Sequence, residues 1–260
     1  MVLFLIYINY IIFYFNTLNY YVLFWGALFF MLYLFLIHYY FIKSKKINQD
    51  NTIKDFEIRS SMITLFWYFL FISVLFYLSK YWKLNFSFNF GWTTIIAFVM
   101  YIFYHDIYFY FSHRLIHINA IFKFLHLEHH KSKFPNVMST YNFSIKELII
   151  HVWVIIPIFF FDANIYALFW AILVYDTGNI IWHSWYEFFE WKEITKSKIF
   201  TFISLASYHD LHHTHNNWNY ALYFSYLDRI FGTYDSKYDL FLSWVKNKNI
   251  NDDKNYKKFR

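Results

Sequence analysis

The sequence contains no cysteine, only four glycines and two prolines, and few charges, with Asp, Glu, Lys and Arg making up 15% of 260 residues. Without cysteine, this chain carries no disulfide, iron–sulfur cluster, thiolate-ligated haem or Cys-based zinc site. Gly26, Gly91, Gly178 and Gly232 stand too far apart for a G-x-G-x-x-G turn, which excludes a Rossmann-type nicotinamide or flavin domain. With turn residues so scarce, bulky apolar runs dominate: 59% of the chain is hydrophobic and 28% aromatic, the composition of a membrane protein. The net charge of +6 does not point to nucleic acid. Lys and Arg sit between the apolar runs and near the C-terminus, where they suit cytoplasmic loops facing anionic headgroups. The N-terminal MVLFLIYINYIIFYF lacks a basic region and a small-residue cleavage site, so it reads as a membrane segment rather than a removable signal peptide.

A membrane span needs about 20 mostly apolar residues. Leu18–Ile42 meets this, and Lys43, Lys45, Lys46, Lys54 and Arg59 follow it, which places the linker Lys43–Ser60 in the cytoplasm. Ser61–Ser79 runs outward, a loop around Asn85–Gly91 turns on the far side, and Trp92–Ser112 returns. His113–Lys146 is too polar to span and reads as cytoplasmic helices near the headgroups. Glu147–Phe161, kinkable at Pro157, and Ile165–Trp182 form a hairpin back to the same side. Met1–Phe15 reads either as a further short span or as an interfacial helix. The expected fold is all-α: a polytopic membrane helical bundle of about four to five membrane segments, with a cytoplasmic helical cap holding a histidine-rich di-metal site.

The 13 histidines carry the chemistry. His113 and His117 are four apart, while His126, His129, His130 and His209, His212, His213 are each spaced i, i+3, i+4, which puts each set on one helix face. The H-x-x-H-H pattern is expected by chance about 0.03 times in a chain of this histidine content, yet it occurs twice. Neutral imidazole suits iron, zinc and copper. The returning span adds His183 as a ninth candidate ligand, oriented by Asp176 or Asn179 on the same face, the alternative being a histidine that caps the span at the interface. Nine imidazoles exceed what one tetrahedral or octahedral ion takes, so two metals are implied.

Other polar residues sort by helical angle. Asp106 and Tyr110 lie within about 40° of the His113 and His117 stripe, and Asp106 suits an acceptor for a ligand N–H. Glu128 and Asp210, inside the two motifs, either hold ligand imidazoles in one tautomer or are solvated charges. His151 either supports the metal site or only pairs with Glu147, four residues earlier. His105, His215 and His38 read as bystanders. The competing class is a polytopic metal-binding or metal-transport protein without oxygenase activity, but a transporter places its ligands near mid-membrane, whereas these motifs follow the spans.

Asp106 and Tyr110 ahead of HRLIH, then HLEHH, the His183–Ser184 pair, YHDLHHTHNNWNY and DRIFGTY resemble the fatty acid hydroxylase and sterol desaturase superfamily of membrane-bound di-iron oxygenases. The resemblance covers about Asp106–Tyr234, half the chain. Ala221 departs from the family's closing NYG, and Asn179 stands where some members carry a further histidine. The resemblance implies two Fe ions held by His113, His117, His126, His129, His130, His183, His209, His212 and His213, with Zn a possible substitute in purified protein, and O2 as co-substrate. It implies hydroxylation or desaturation of a lipid of sterol or fatty-acyl type. No electron-carrying module fits in this chain, so a separate cytochrome b5-like or ferredoxin-like donor with its reductase is implied. It also implies a multi-pass protein whose site faces the cytoplasm, in the endoplasmic reticulum membrane of a eukaryote or the inner membrane of a bacterium. On this reading residues 1–91 hold the N-terminal membrane segments and linker, 92–235 the catalytic region, and 236–260 a basic surface tail.

Overall fold

The computed structural model describes residues 53–79, 86–87, 89–154, 163–184 and 198–248. The expected segments Met1–Phe15 and Leu18–Ile42, and His38, lie outside the described residues. The elements in chain order are α1 (Asp55–Ser79), β1 (Phe86–Ser87), α2 (Trp92–Ile116), α3 (Asn119–Leu125), α4 (Leu127–His130), a 3-10 turn at Val137–Tyr141, α5 (Ile145–Trp153), β2 (Ala163–Asn164), α6 (Ile165–His183), a second 3-10 turn at Lys198–Thr201, α7 (Ala206–Thr214), α8 (Tyr226–Ile230) and α9 (Ser236–Lys248). The fold is helical. Its two-residue strands form one short parallel pairing, Phe86 with Ala163 and Ser87 with Asn164.

That pairing belongs to a polar clasp from which α2 and α6 both start. Asn164 caps α6 by accepting from Ala167 N at 3.0 Å, and its Nδ2 donates to Asn89 O and Thr94 Oγ1 at the start of α2. Buried cap donors and acceptors must be paired, and here the two helix ends satisfy one another. The helices therefore run side by side in the same direction, and both end in histidines, His117 just beyond α2 and His183 closing α6.

Helix α2 is apolar outside and polar inside. Ile96, Met100, Phe103 and Ile107 are exposed, whereas Asp106 and His113 are buried. This inversion suits a lipid-facing helix whose ionisable groups turn inward. Among the described residues α2 is the one helix long and apolar enough to cross a membrane. It continues past the expected end at Ser112 to Ile116, so His113 sits on the helix itself.

Helix α1 begins at Asp55 rather than at Ser61, because its first turns dock on the chain around the 3-10 turn. Ser61 Oγ donates to Met138 O, and Thr64 Oγ1 donates to Phe143 O at 2.8 Å. The expected loose tail beyond Ser236 is, as far as Lys248, the packed helix α9. Tyr238, Phe241 and Leu242 form an i, i+3, i+4 stripe buried against Leu205, Tyr208 and Leu211 of the α7 region. The lysines of this segment obscured that stripe.

Gly178 on α6 lies under the Trp182 ring, and an added Cβ would stand 2.7 Å from the ring edge. The indole is buried and donates from Nε1 to Ser204 O at 2.6 Å, so it cannot swing aside cheaply. Gly178→Ala is expected to lower stability by about 1–3 kcal/mol through overpacking, measured as a lowered melting temperature in detergent. An unchanged melting temperature would show that the indole moves freely.

Candidate metal centre

The nine predicted histidines converge as two adjacent, fully buried groups. His113, His117, His126, His130 and His212 form one; His129, His183, His209 and His213 form the other; within each, one nitrogen per ring lies within 4.8 Å of the rest. Each H-x-x-H-H motif feeds both groups. The i, i+4 pair of the first motif, His126 and His130, joins the five-histidine group while His129 joins the other; in the second motif His209 and His213 join the four-histidine group while His212 crosses over. The i, i+4 members are about 40° apart on a helix and the i+3 residue falls on the opposite side of the first, which separates the rings.

The first motif does not ride one regular helix. It straddles the break between α3 and α4, with His126 at the junction, and Ser144 Oγ takes the Leu125 carbonyl at 2.8 Å. The second lies wholly within α7.

Hydrogen positions decide whether these groups suit a cation. His113 Nδ1 faces Tyr220 O at 2.9 Å, His129 Nδ1 faces Asn142 O at 3.3 Å, His183 Nδ1 faces Asn179 O at 2.9 Å and His212 Nδ1 faces Trp218 O at 2.7 Å. A carbonyl oxygen only accepts, so each of these Nδ1 atoms carries the proton and each Nε2 of the neutral ring presents a lone pair. His126 Nδ1 donates likewise to Glu147 Oε1 at 2.6 Å. Yet His113 Nε2 and His126 Nε2 are 3.2 Å apart, and His129 Nε2 and His183 Nε2 are 3.4 Å apart. Neither pair has a proton to share. Lone pairs so opposed repel unless a cation lies between them, and nitrogens at roughly 2.1 Å from one ion would stand about 3.0–3.4 Å apart. Both nitrogens of His117 and the Nδ1 atoms of His130 and His213 are also buried without a hydrogen-bond partner. The donor set therefore fits two borderline metal ions.

Electrostatics agrees. Burial, reinforced by neighbouring imidazoles, pushes His126, His130, His209 and His213 well below the ordinary histidine range. Burial also brings His129 and His212 down to about 3. These rings are neutral near pH 7, the form that binds metal.

The other sequence candidates take different places. Among the described residues Asp106 hydrogen-bonds main-chain amides rather than a ligand histidine; its Oδ1 accepts from Tyr223 N at 2.8 Å and Phe224 N at 3.4 Å. It fixes the strip of chain that carries Tyr220 O, and so acts one step further from the ring than expected. Tyr110 OH bonds Thr233 Oγ1 at 2.8 Å and accepts from Arg114. Glu128 is the solvated alternative, paired with Lys131 at the surface. Asp210 is buried on α7, and its carbonyl accepts from Thr214 Oγ1. Asp176 accepts from Tyr141 OH at 3.3 Å, and Asn179 orients His183 through its carbonyl rather than its amide. His151 Nε2 lies 3.4 Å from Glu147 Oε1, the oxygen that also holds His126, so the two alternatives for His151 merge. His105 faces Tyr223 OH, and His215 is held by Asp235 and Lys237; both stand outside the two groups.

Sequence reasoning missed Glu147 as an orienting carboxylate, although an acid heading an apolar run was a usable signal. It also missed Asp228, which is buried and accepts from Tyr208 OH, Tyr220 N, Ala221 N and Thr233 Oγ1 at 2.7–2.9 Å. A cavity of about 30 Å³ lies against both groups, walled by Phe109, Ile116, Phe143 and Ile150 beside the histidines.

Helices that end together on two buried groups of imidazoles define a helical protein with a histidine-only donor set suited to metal. The fatty acid hydroxylase family matches residues 98–233, half of the chain, and the chain belongs to that family. It is 33% identical over 149 residues to a Dictyostelium discoideum protein named "Putative methylsterol monooxygenase", covering 56% of this chain and 52% of that one. It is 33% identical over 137 residues to methylsterol monooxygenase 1 of Gallus gallus, covering 51% of this chain and 44% of the relative. It is 27% identical over 156 residues to a Delta(7)-sterol 5(6)-desaturase of Gibberella zeae, covering 56% and 44%. The chain thus spans about half the length of the curated relatives it matches. No solved structure matches it at a significant level.

Proposed function

We propose that this chain is an O2-dependent lipid oxygenase, an oxidoreductase that hydroxylates or desaturates a sterol or fatty-acyl lipid at a paired iron centre. The observation that carries the reading is the set of opposed Nε2 lone pairs, with their protons held on Nδ1 by fixed acceptors. Membership of the fatty acid hydroxylase family and the sterol-oxidising relatives support the lipid substrate.

His113, His117, His126, His130 and His212 would hold one iron, and His129, His183, His209 and His213 the other. Iron held there supplies O2 activation and the oxidising power to break an unactivated C–H bond. The chain's own residues do the rest. Glu147 and the carbonyls of Asn142, Asn179, Trp218 and Tyr220 hold five of the nine rings, those of His126, His129, His183, His212 and His113, with Nε2 turned into the groups. Phe109, Ile116, Phe143 and Ile150 wall the adjoining cavity with apolar side chains beside the histidines, which keeps bulk water away from the rings.

The catalytic unit is 92–235, with α2 as a membrane-crossing helix, α6 alongside it, and both groups at their cytoplasmic ends. Histidines gathered at one end of the helix pair, rather than strung along it, argue against an ion-transport path. Electrons reach the centre from a separate cytochrome b5-like or ferredoxin-like donor.

Metal analysis of detergent-purified chain is expected to give about two ions per chain, with O2 uptake that depends on added lipid, donor and reductant. One ion or none, without uptake after iron reconstitution, would overturn the proposal.

A further inference from the structure

Glu57 lies on α1, forty-one residues ahead of the family-matched region that begins at residue 98. It is 1% exposed, although its neighbours Phe56 and Ile58 are partly or fully exposed. A carboxylate this buried requires donors, and Glu57 has three. Ser132 Oγ donates to Oε1 at 2.7 Å, while Asn136 Nδ2 and the Lys54 backbone N–H donate to Oε2 at 2.8 and 2.9 Å. Ser132 and Asn136 are the two anchors of the segment that leaves His129 and His130 and leads into the 3-10 turn.

The network continues inward. Asn142 Nδ2 donates to Ser132 Oγ at 3.0 Å and to Glu128 O at 3.1 Å, and the carbonyl of the same Asn142 faces His129 Nδ1. Its polarity is fixed throughout. Ser132 has one proton, which it gives to Glu57, leaving its lone pairs for Asn142. On its other arm Asn136 Oδ1 caps the 3-10 turn by accepting from Met138 N and Ser139 N. The carboxylate of Glu57 is thus the terminal acceptor of a relay that sets the place of Asn142, and through it the direction of one ring of the four-histidine group.

We infer that Glu57 is a positioning residue for the four-histidine group, acting through Ser132 and Asn142 on His129. The inference rests on the reading of that group as a metal site. The five-histidine group has its own orienting contacts, Glu147, Tyr220 O and Trp218 O, so the effect of Glu57 falls selectively on one ion. Partners that orient ligand imidazoles are typically worth about 10–100-fold in metal affinity.

The test is metal content per chain after dialysis against a mild chelator, with iron as the probe, on the full chain in detergent. Glu57→Gln keeps the shape but turns an N–H group toward a donor, since one amide supplies one acceptor where the carboxylate supplies two. It is expected to lose one of two ions with helix content unchanged. Ser132→Ala, which cuts the relay while leaving Glu57 intact, is expected to lose the same single ion. Two ions retained in Glu57→Gln or in Ser132→Ala would overturn the inference, as would loss of both ions together with helix content. Fewer than two ions in the unaltered chain would instead count against the metal reading itself.

Discussion

Alanine at His212 is expected to abolish lipid-dependent O2 uptake and to release iron. The variant loses one Nε2 from the five-histidine group and leaves the Trp218 carbonyl without its donor. The loss should exceed the roughly 10–100-fold cost of removing an orienting partner, because a ligand itself is gone. His209→Ala, which strips the four-histidine group of the ring lying 3.2 Å from His183 and 3.1 Å from His213, should behave alike. His215→Ala is the control: its ring is held by Asp235 and Lys237 away from both groups, and its turnover should stay near that of the unaltered chain. Turnover and iron content measured side by side decide the matter. Full activity in His212→Ala would refute the assignment, and equal loss in His215→Ala would show that the grouping is not what matters.

Replacing Asp228 by alanine should cost more stability than any other single change near the site. Four donors would lose their acceptor at once, the Tyr208 and Thr233 hydroxyls and the Tyr220 and Ala221 amides. Each buried donor left unpaired costs about 1–3 kcal/mol, so the sum is about 4 kcal/mol or more, a large share of a typical domain's stability. Burial pushes the Asp228 carboxyl above the ordinary carboxylate range, and these donors pull it partly back. The change reaches the centre as well, since the chain that Asp228 grips presents the Tyr220 carbonyl to His113. Asp228→Ala is therefore expected to melt far earlier in detergent and to retain little iron. A melting curve like that of the unaltered chain would contradict this role.

The nine histidines were legible because imidazole is rare and the H-x-x-H-H spacing maps directly onto a helix face. Their division into five and four was not. Periodicity treated each motif as one face, whereas the rings of His129 and His212 leave their own motifs for the opposite group. The helical angle turns the i+3 ring away from its i, i+4 partners, but which group that ring then joins depends on how α4 and α7 approach each other, which no local spacing encodes. The helix that ends in His183 followed from hydropathy, and its start at Ile165 matches the expected boundary of the second arm of the hairpin. Asp106 was read as a direct partner of a ligand because its angle was right. Its carboxylate instead found the Tyr223 and Phe224 amides, donors contributed by chain more than a hundred residues away. Glu57 escaped notice for the same reason, since its partners Ser132 and Asn136 come from a distant segment.

Among the described residues, four of the five contacts that fix the ring protons are made by main-chain carbonyls, those of Asn142, Asn179, Trp218 and Tyr220. Every residue type brings the same carbonyl, so a codon change at Trp218 or Tyr220 leaves the acceptor itself in place. A single residue inserted or deleted between His212 and Trp218 would carry it away. Natural variation around this centre should therefore be permissive in residue identity and strict in segment length, so that descendants of this chain drift in letters while keeping their count.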